Sequence, residues 1–546
     1  MCRYPSLRPR GDRISARLRG KPSCAVGRNS RIIPPMLLDM AGRRGSVAQK
    51  KFLYDRKGPW PQPSPTEPLG TSAEVLHLPW QEKLDWRWHI GCRYVRDLLI
   101  YAPVSCVKAL SFSGLPAIDD AAMESVLTRG IYSRFLSRLD PADVETFAGI
   151  RDPTRPGSHF KLDFTPIEGV RPYRDMHAAQ TITLLHRPDS ATDAFSLLAI
   201  AVGKGRVVLR PTNGDAWQLA KYFVLQGCSY ATLFTAHPNV HFPFDTINAI
   251  TKGSVPVDHL LFKVLIPHLR FSLVLDNAVL QGKASVNNKG GATFYDPFTA
   301  SADAGLMSLF VAGHRGIPGN SAYPRYRYPS NLLELEERLP PTKYGRFLRA
   351  YFEPFLELTR TVVAAMTDEE LSYAEEWARW IRAWIETFAE IAFKGPREAP
   401  GVRHPMKPAE RDMMKERLAF VLAVVLWDVS VVHSTDHNDF ATDIPAEWKC
   451  FRLRRAAPSS RSIEPIDRRT LSTRFDIFKS YLAHRMFFAP TTVTRLIDVD
   501  YGFHDEVLRA AQARFKERLR EVEASLRGPG IKPYMALTEM AASVQY

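Results

Sequence analysis

Two pairs of histidines constrain this chain more than any other feature. His237 and His241 are four residues apart, and His433 and His437 repeat that spacing much further along. On a helix, residues four apart share one face, so each pair can hold one ion. Fifteen histidines scattered over 546 residues give roughly 0.4 such pairs by chance. The surroundings sharpen the pattern. His433 follows AFVLAVVLWDVSVV, apolar apart from Asp428 and Ser430. Imidazoles side by side in such a helix need partners for their nitrogens. A metal ion is one such partner, and hydrogen bonding in a core or at a surface is the competing reading for each histidine. Neutral imidazoles with a weak anionic ligand suit Fe, Mn or Zn. Pro238 directly follows His237. It cannot donate to the carbonyl of Phe234 and its ring clashes there, so the helix kinks or bulges at His237, or a new helix begins at Pro238.

The rest of the pattern gives a mainly α fold with a minor β element. Residues 76–110 and 118–150 carry helical spacing, with Asp140 as a cap and Pro141 in the first turn. Thr181–Leu185, Phe195–Val202 and Val207–Leu209 alternate as strands. Helices are expected over 215–251, 257–280, 343–366, 368–393, 408–436, 470–486 and 503–527, with loops at 282–292 and 312–330. Residues 1–70 read as a disordered basic leader and a proline-rich linker, and 71–546 as one catalytic domain.

Charge removes one class of function. The net charge is +15, but residues 1–57 hold 15 basic against three acidic groups, a net of +12. The remaining 58 basic and 55 acidic groups nearly cancel, which argues against a nucleic-acid partner. The leader reads as a transit peptide or as sequence upstream of a start at Met36 or Met40. Six scattered cysteines without a Cys-x-x-Cys point to free thiols in a reducing, cytoplasmic setting. The longest clean apolar run, Leu418–Trp427, has ten residues, short of the roughly 18 a membrane helix needs. No integral membrane segment is expected.

From about residue 140 onward the sequence resembles the lipoxygenase family. Trp217, Leu219-Ala220-Lys221, the His237/His241 segment, Asp258-His259 and FKVLIPHLR at 262–270 follow the order of the family's first ligand region. LWDVSVVHSTDH resembles the second ligand helix, with Trp427, Ser430, His433 and His437 in register. The chain ends Ser543-Val544-Gln545-Tyr546, where the family ends Ser-Ile-x-Ile. The resemblance implies five metal ligands: His237, His241, His433, His437 and the terminal carboxylate of Tyr546. The His-x-x-x-His spacing is that of manganese-using fungal members, and the missing N-terminal lipid-binding β-barrel is shared with bacterial-type members. Asn438-Asp439-Phe440 replaces the family's Phe-Gly-Gln. Val279 falls on a pocket position that influences oxygen insertion, and Asp436 is placed to hydrogen-bond a ligand imidazole.

The implied activity is dioxygenation. A hydroxide held by the metal ligands removes a bis-allylic hydrogen from a polyunsaturated fatty acid, and O2 adds to give a lipid hydroperoxide. The implied cofactor is one Fe per chain, with Mn as the alternative, and the chain is expected to be a monomer. Two other readings share the fold. One is a hydroperoxide isomerase or an oxidase of another apolar molecule. The other is a metal-poor relative that only binds lipid.

Overall fold

The longest apolar run forms the axis of the fold. In the computed structural model, which describes residues 84–150, 157–188, 194–256, 258–275, 305–385, 387–389, 391, 408–438, 448, 452–488, 494–527 and 535–544 and a short pairing of Tyr54–Asp55 with Glu74–Val75, it lies in helix Pro408–Trp427 (α6). Pro408 opens α6 where a missing N–H costs nothing. Every residue from Leu418 to Trp427 is buried, and each such Val, Leu or Phe contributes about 1.5–3 kcal/mol. Helix Lys343–Ala364 (α5) packs along α6 through an apolar stripe that includes Tyr344, Leu348, Tyr351, Phe355 and Val362. Two polar links fix the register of the pair. Trp427 Nε1–H donates to the Leu348 carbonyl at 2.9 Å, and the Thr359 hydroxyl donates to the Ala419 carbonyl at 2.7 Å. Helix Glu506–Leu526 (α9) lies against α5, with the Phe355 and Phe515 rings edge-on at 5.0 Å.

The remaining helices wrap this pair. Cys92–Leu110 (α1) lies on Arg474–Phe488 (α8). Gly214–Ala231 (α2) is buried from Ala216 except for Gln218, leads toward Phe242–Ser254 (α3), and touches Gly305–Arg315 (α4). His433–Asn438 (α7) continues the line of α6. The segment Pro408–His437 is long and apolar enough by composition to cross a membrane, so the expectation that nothing reaches that length is corrected. Its apolar window lies wholly inside the protein, as a core helix does.

An antiparallel meander covers one end. Its strands are Leu136–Ser137 (β1), Ser158–Asp163 (β2), Thr181–Arg187 (β3), Ser196–Val202 (β4) and Val207–Leu209 (β5), paired in that order. Phe160 pairs with Leu185, Thr181 with Val202 and Ile200 with Leu209. All of β3 is buried, with Leu185 in the main core and Ile182 and Leu184 against Phe147 on the other face. The capping expected at Asp140 is present: its N–H donates to Asp143 Oδ2 at 3.0 Å. Buried Lys161 Nζ then joins Asp140 at 2.5 Å and Asp143 at 2.6 Å.

The α-dominated body and the three expected strands are observed, with differences at breaks. The helix expected over 257–280 is cut. Leu260–Leu265 is helical, Pro267 turns Ile266–His268 into a 3-10 segment, and Phe271 follows at φ 75. The loop expected from 312 starts after α4 ends at Arg315. The helix expected from 470 begins at Arg474. Val279, Tyr546, residues 282–292 and nearly all of 1–70 lie outside the described residues.

Candidate metal centre

Each histidine pair lies just past a break in its helix. α2 opens into a π turn, Thr232–Ala236, and a 3-10 segment, His237–Val240, before α3 starts at Phe242. Pro238 removes one donor and crowds the turn before it, and the wider π turn accommodates both. Thr232 Oγ1–H also bonds back to the Cys228 carbonyl at 2.8 Å, which loosens the helix ladder. The Asn239 amide donates to the Thr235 carbonyl at 3.1 Å and to the Gly313 carbonyl at 2.9 Å. Gly313 sits so close that a Cβ there would lie 2.2 Å from the Thr235 oxygen. In the second segment, α6 opens into the π turn Asp428–Val432 before α7 starts at His433. No proline causes it. Ser430 Oγ–H bonds back to the Leu426 carbonyl at 2.6 Å, and buried Asp428 is held by Arg338 at 2.7 and 3.1 Å.

These breaks bring the four rings together. Nε2 of His241 lies 2.8 Å from Nε2 of His237 and 2.9 Å from Nε2 of His433. The His433 and His437 ring centroids are 4.5 Å apart, and all four donor atoms fall within 4.8 Å of one another. All four histidines are buried. Imidazole bonds of about 2.0–2.1 Å to one ion, at right angles, set neighbouring donors about 2.9 Å apart, so the shortest separations fit a shared cation. Burial, reinforced by the neighbouring imidazoles, pushes His241, His433 and His437 well below the usual histidine range. These three rings are therefore neutral at ordinary pH, as ligation requires.

Two rings are aimed from behind. The His237 Nδ1–H donates to Asp436 Oδ2 at 3.2 Å, which leaves Nε2 facing the cluster. His437 donates to the Phe487 carbonyl on α8. Burial alone would raise the Asp436 carboxyl, but Arg134 and His237 together hold it below the ordinary carboxylate range. Arg134 bonds both carboxylate oxygens, Nη1 to Oδ2 at 3.1 Å, and reaches the Tyr344 hydroxyl at 2.7 Å. Tyr344 closes the chain to Thr435 Oγ1 at 3.0 Å.

FKVLIPHLR serves a different part of the site. His268 Nδ1–H donates to the Ala542 carbonyl at 2.7 Å, and its Nε2 accepts from the Tyr501 hydroxyl at 2.9 Å. Ser543 Oγ–H donates to the Arg270 carbonyl at 2.6 Å, and the Ala541 N–H donates to Ser434, next to His433, at 2.9 Å. The chain end is thereby stitched to the second ligand helix, and Tyr546 lies three residues beyond Ser543, outside the described residues. Trp217 and Lys221 meet on Asp120, at 2.8 and 2.5 Å. His259 caps its own helix and bonds the Glu370 carbonyl, so both motifs are structural. Sequence reasoning placed the histidines and Asp436 but missed Arg134, Tyr344, Asn239 and Gly313. Arg134, Tyr344 and Gly313 act across long separations, and Asn239, which also bonds Thr235 four residues before it, carries no local pattern.

No protein-family model and no curated protein sequence matches this chain. Solved structures do. A coral 8R-lipoxygenase superposes with a TM-score of 0.63 at 14% identity, over 92% of this chain and 80% of that one. A manganese lipoxygenase of Gaeumannomyces graminis gives 0.58 at 15% identity, over 82% and 86%. A calcium-dependent 11R-lipoxygenase gives 0.59 at 16% identity, over 78% of this chain and 65% of that one, so the chain spans just under two thirds of that protein. The chain has a lipoxygenase-like fold. At these identities the likeness is one of fold, and the residues themselves must carry any statement about the site.

Proposed function

We propose that the chain is a metal-dependent dioxygenase that converts polyunsaturated fatty acids and O2 into lipid hydroperoxides. The observation that carries this reading is the meeting of His237, His241, His433 and His437, donor atoms within 4.8 Å, on a lipoxygenase-like fold. A bound iron or manganese ion supplies the one-electron oxidation and the base that a bis-allylic methylene requires. The protein's part is to keep His241, His433 and His437 neutral by burial, to aim His237 through Asp436, and to surround the four rings with apolar helix that excludes water. In this reading the Tyr546 carboxylate completes the ligand set. The stitching of Ala541–Ser543 beside His433 supports it. Val279 belongs to the substrate pocket on the family resemblance.

A cavity of about 920 Å³ is lined by Thr235, Asn239 and Val240 of the first ligand segment and by Val432, next to His433. Its size falls in the range of about 300–1,000 Å³ typical of small-molecule sites. Arg325, Arg327 and Arg382 line it together with Glu334 and Glu337, and the arginines offer partners for a carboxylate. A structural neighbour, 15% identical with a TM-score of 0.57, was solved in complex with arachidonate.

Elemental analysis of the purified chain joined to oxygen uptake with linoleate tests the reading. The expected result is one Fe or Mn per chain and conjugated-diene formation that consumes O2. A full metal complement without diene formation would move the assignment to a hydroperoxide isomerase or an oxidase of another apolar molecule. Less than about half a metal per chain would leave a lipid-binding protein.

A further inference from the structure

Helix α1 is built inside out. Its protein-facing stripe contains Arg93, Asp97 and Ser105, with Arg93 4% and Asp97 2% exposed. These groups have partners there: Arg93 Nε reaches Asp97 Oδ2 at 3.3 Å, Arg93 Nη2 reaches the Met486 carbonyl on α8 at 3.2 Å, and Ser105 donates to the Tyr101 carbonyl at 2.6 Å. The opposite face is apolar. Val95, Leu99 and Leu110 share it at helical spacing, Leu99 is 72% and Leu110 71% exposed, and Val107 lies beside them. Trp88, in the turn before the helix, is 69% exposed. Scattered exposed apolar residues need no explanation, but a continuous patch does. Folding alone would have put the Val and Leu side chains inward, so this face is matched to an apolar environment beyond the described residues.

We infer that α1 and the Trp88 turn form a docking surface for an anionic lipid bilayer, lying in its interface. Charge selects this occupant. Arg87 and Arg96 are exposed beside the apolar face, and Lys108 is exposed at the C-terminal end of the helix. The acidic residues of the stretch, Asp85 and Asp97, are engaged by Arg270 and by Arg93 and Arg96. The face therefore presents cations without an exposed carboxylate on the same stretch. A second copy of the chain meeting it through a two-fold axis would bring the same cations to the seam, with no exposed carboxylate on this stretch to pair them. An anionic bilayer neutralises them, at about fivefold in affinity per Lys or Arg. An exposed Trp with Leu and Val beside it is the composition of interfacial helices. Residues 1–57, with a net of +12, add attraction of the same sign. The inference goes beyond the proposed reaction and does not depend on it. Its consequence is positional, because α8, under α1, holds Phe488 with its ring centroid 5.2 Å from that of His437.

The test is co-flotation of the full-length chain with vesicles of phosphatidylcholine mixed with phosphatidylglycerol, and with phosphatidylcholine alone. The parent should float with the mixed vesicles. Val95→Ser/Leu99→Ser and, separately, Val107→Ser/Leu110→Ser should each lower partitioning by about tenfold or more. All four positions are on the surface, and either pair decides once its circular dichroism matches the parent. Arg87→Gln/Lys108→Gln should lose binding to the mixed vesicles only. A parent that does not float overturns the inference, as do serine variants that float like the parent. A parent dimer that the serine pairs convert to monomer without any vesicle binding assigns the face to a second copy and overturns it too.

Discussion

Asp436 holds His237 from the outer side of the ring, Oδ2 to Nδ1 at 3.2 Å, and is itself held by Arg134 from residue 302 positions earlier. One carboxylate thus links the first ligand segment, the second ligand helix and the segment ahead of the sheet. Asp436→Asn keeps an acceptor but removes the charge that makes His237 a better donor to a metal. The expected loss in metal affinity is about 10- to 100-fold, read by competition with a chelator. Asp436→Ala also strands the Arg134 charge, which should cost about 3–5 kcal/mol of stability. Unchanged metal retention in both variants would remove Asp436 from the site.

His433 reaches across the two ligand segments, its Nε2 2.9 Å from that of His241. His433→Ala should take the metal below about half an ion per chain and bring oxygen uptake to background. Full metal content in this variant would contradict the ligand assignment.

Gly313 touches the backbone of the first π turn, with the site of a Cβ 2.2 Å from the Thr235 oxygen. Gly313→Ala must push α4 away from Thr235 or shift the turn that precedes His237. Overpacking of this kind costs about 1–3 kcal/mol. The expected outcome is a lower thermal midpoint together with weaker metal retention. A lower midpoint with normal retention would show that α4 moves and the ligand segment does not.

Two buried histidines outside the cluster predict acid sensitivity. Burial holds His268 down to about 4 although the Ala542 carbonyl pulls the other way, and burial with Arg325 and Arg315 holds His314 at about 4. In the unfolded chain both titrate near about 6.5. Between about 6.5 and about 4 the unfolded state binds protons that the folded state refuses, so stability falls as pH falls through that window. The thermal midpoint should decline across it. His268→Gln should flatten the decline while lowering the midpoint at neutral pH. A slope unchanged by His268→Gln would mean that this ring does not contribute.

Legibility in the sequence depends on distance along the chain. The histidine pairs have a local signature, four residues on one apolar helix, and Pro238 marks the first break. The helices α5 and α9 are visible because their apolar period runs for many turns, and α6 because its apolar run is long. Arg134 and Asp436 meet only in three dimensions, and nothing near Arg134 marks its partner. The second π turn has no proline, and its cause, Ser430 bonding back to Leu426, is a choice that serine makes only in some helices. β2 is hidden by Lys161, a charge that reads as solvent-facing until Asp140 and Asp143 are known to surround it. α1 shows clear helical spacing, but spacing alone does not say which face turns inward.

A π turn is an α-helix that has taken in one extra residue. Each residue turns a helix by about 100°, so the insertion rotates the downstream turns while the upstream packing keeps its register. In Asp428–Val432 this separates two inheritances. α6 holds its core contacts whether or not the extra residue is present, and His433 and His437 point at the other pair only when it is. A single-codon deletion there would leave a sound apolar helix and dismantle half of the ligand set. Conversely, a single-codon gain in a plain core helix is enough to swing two histidines toward a second pair.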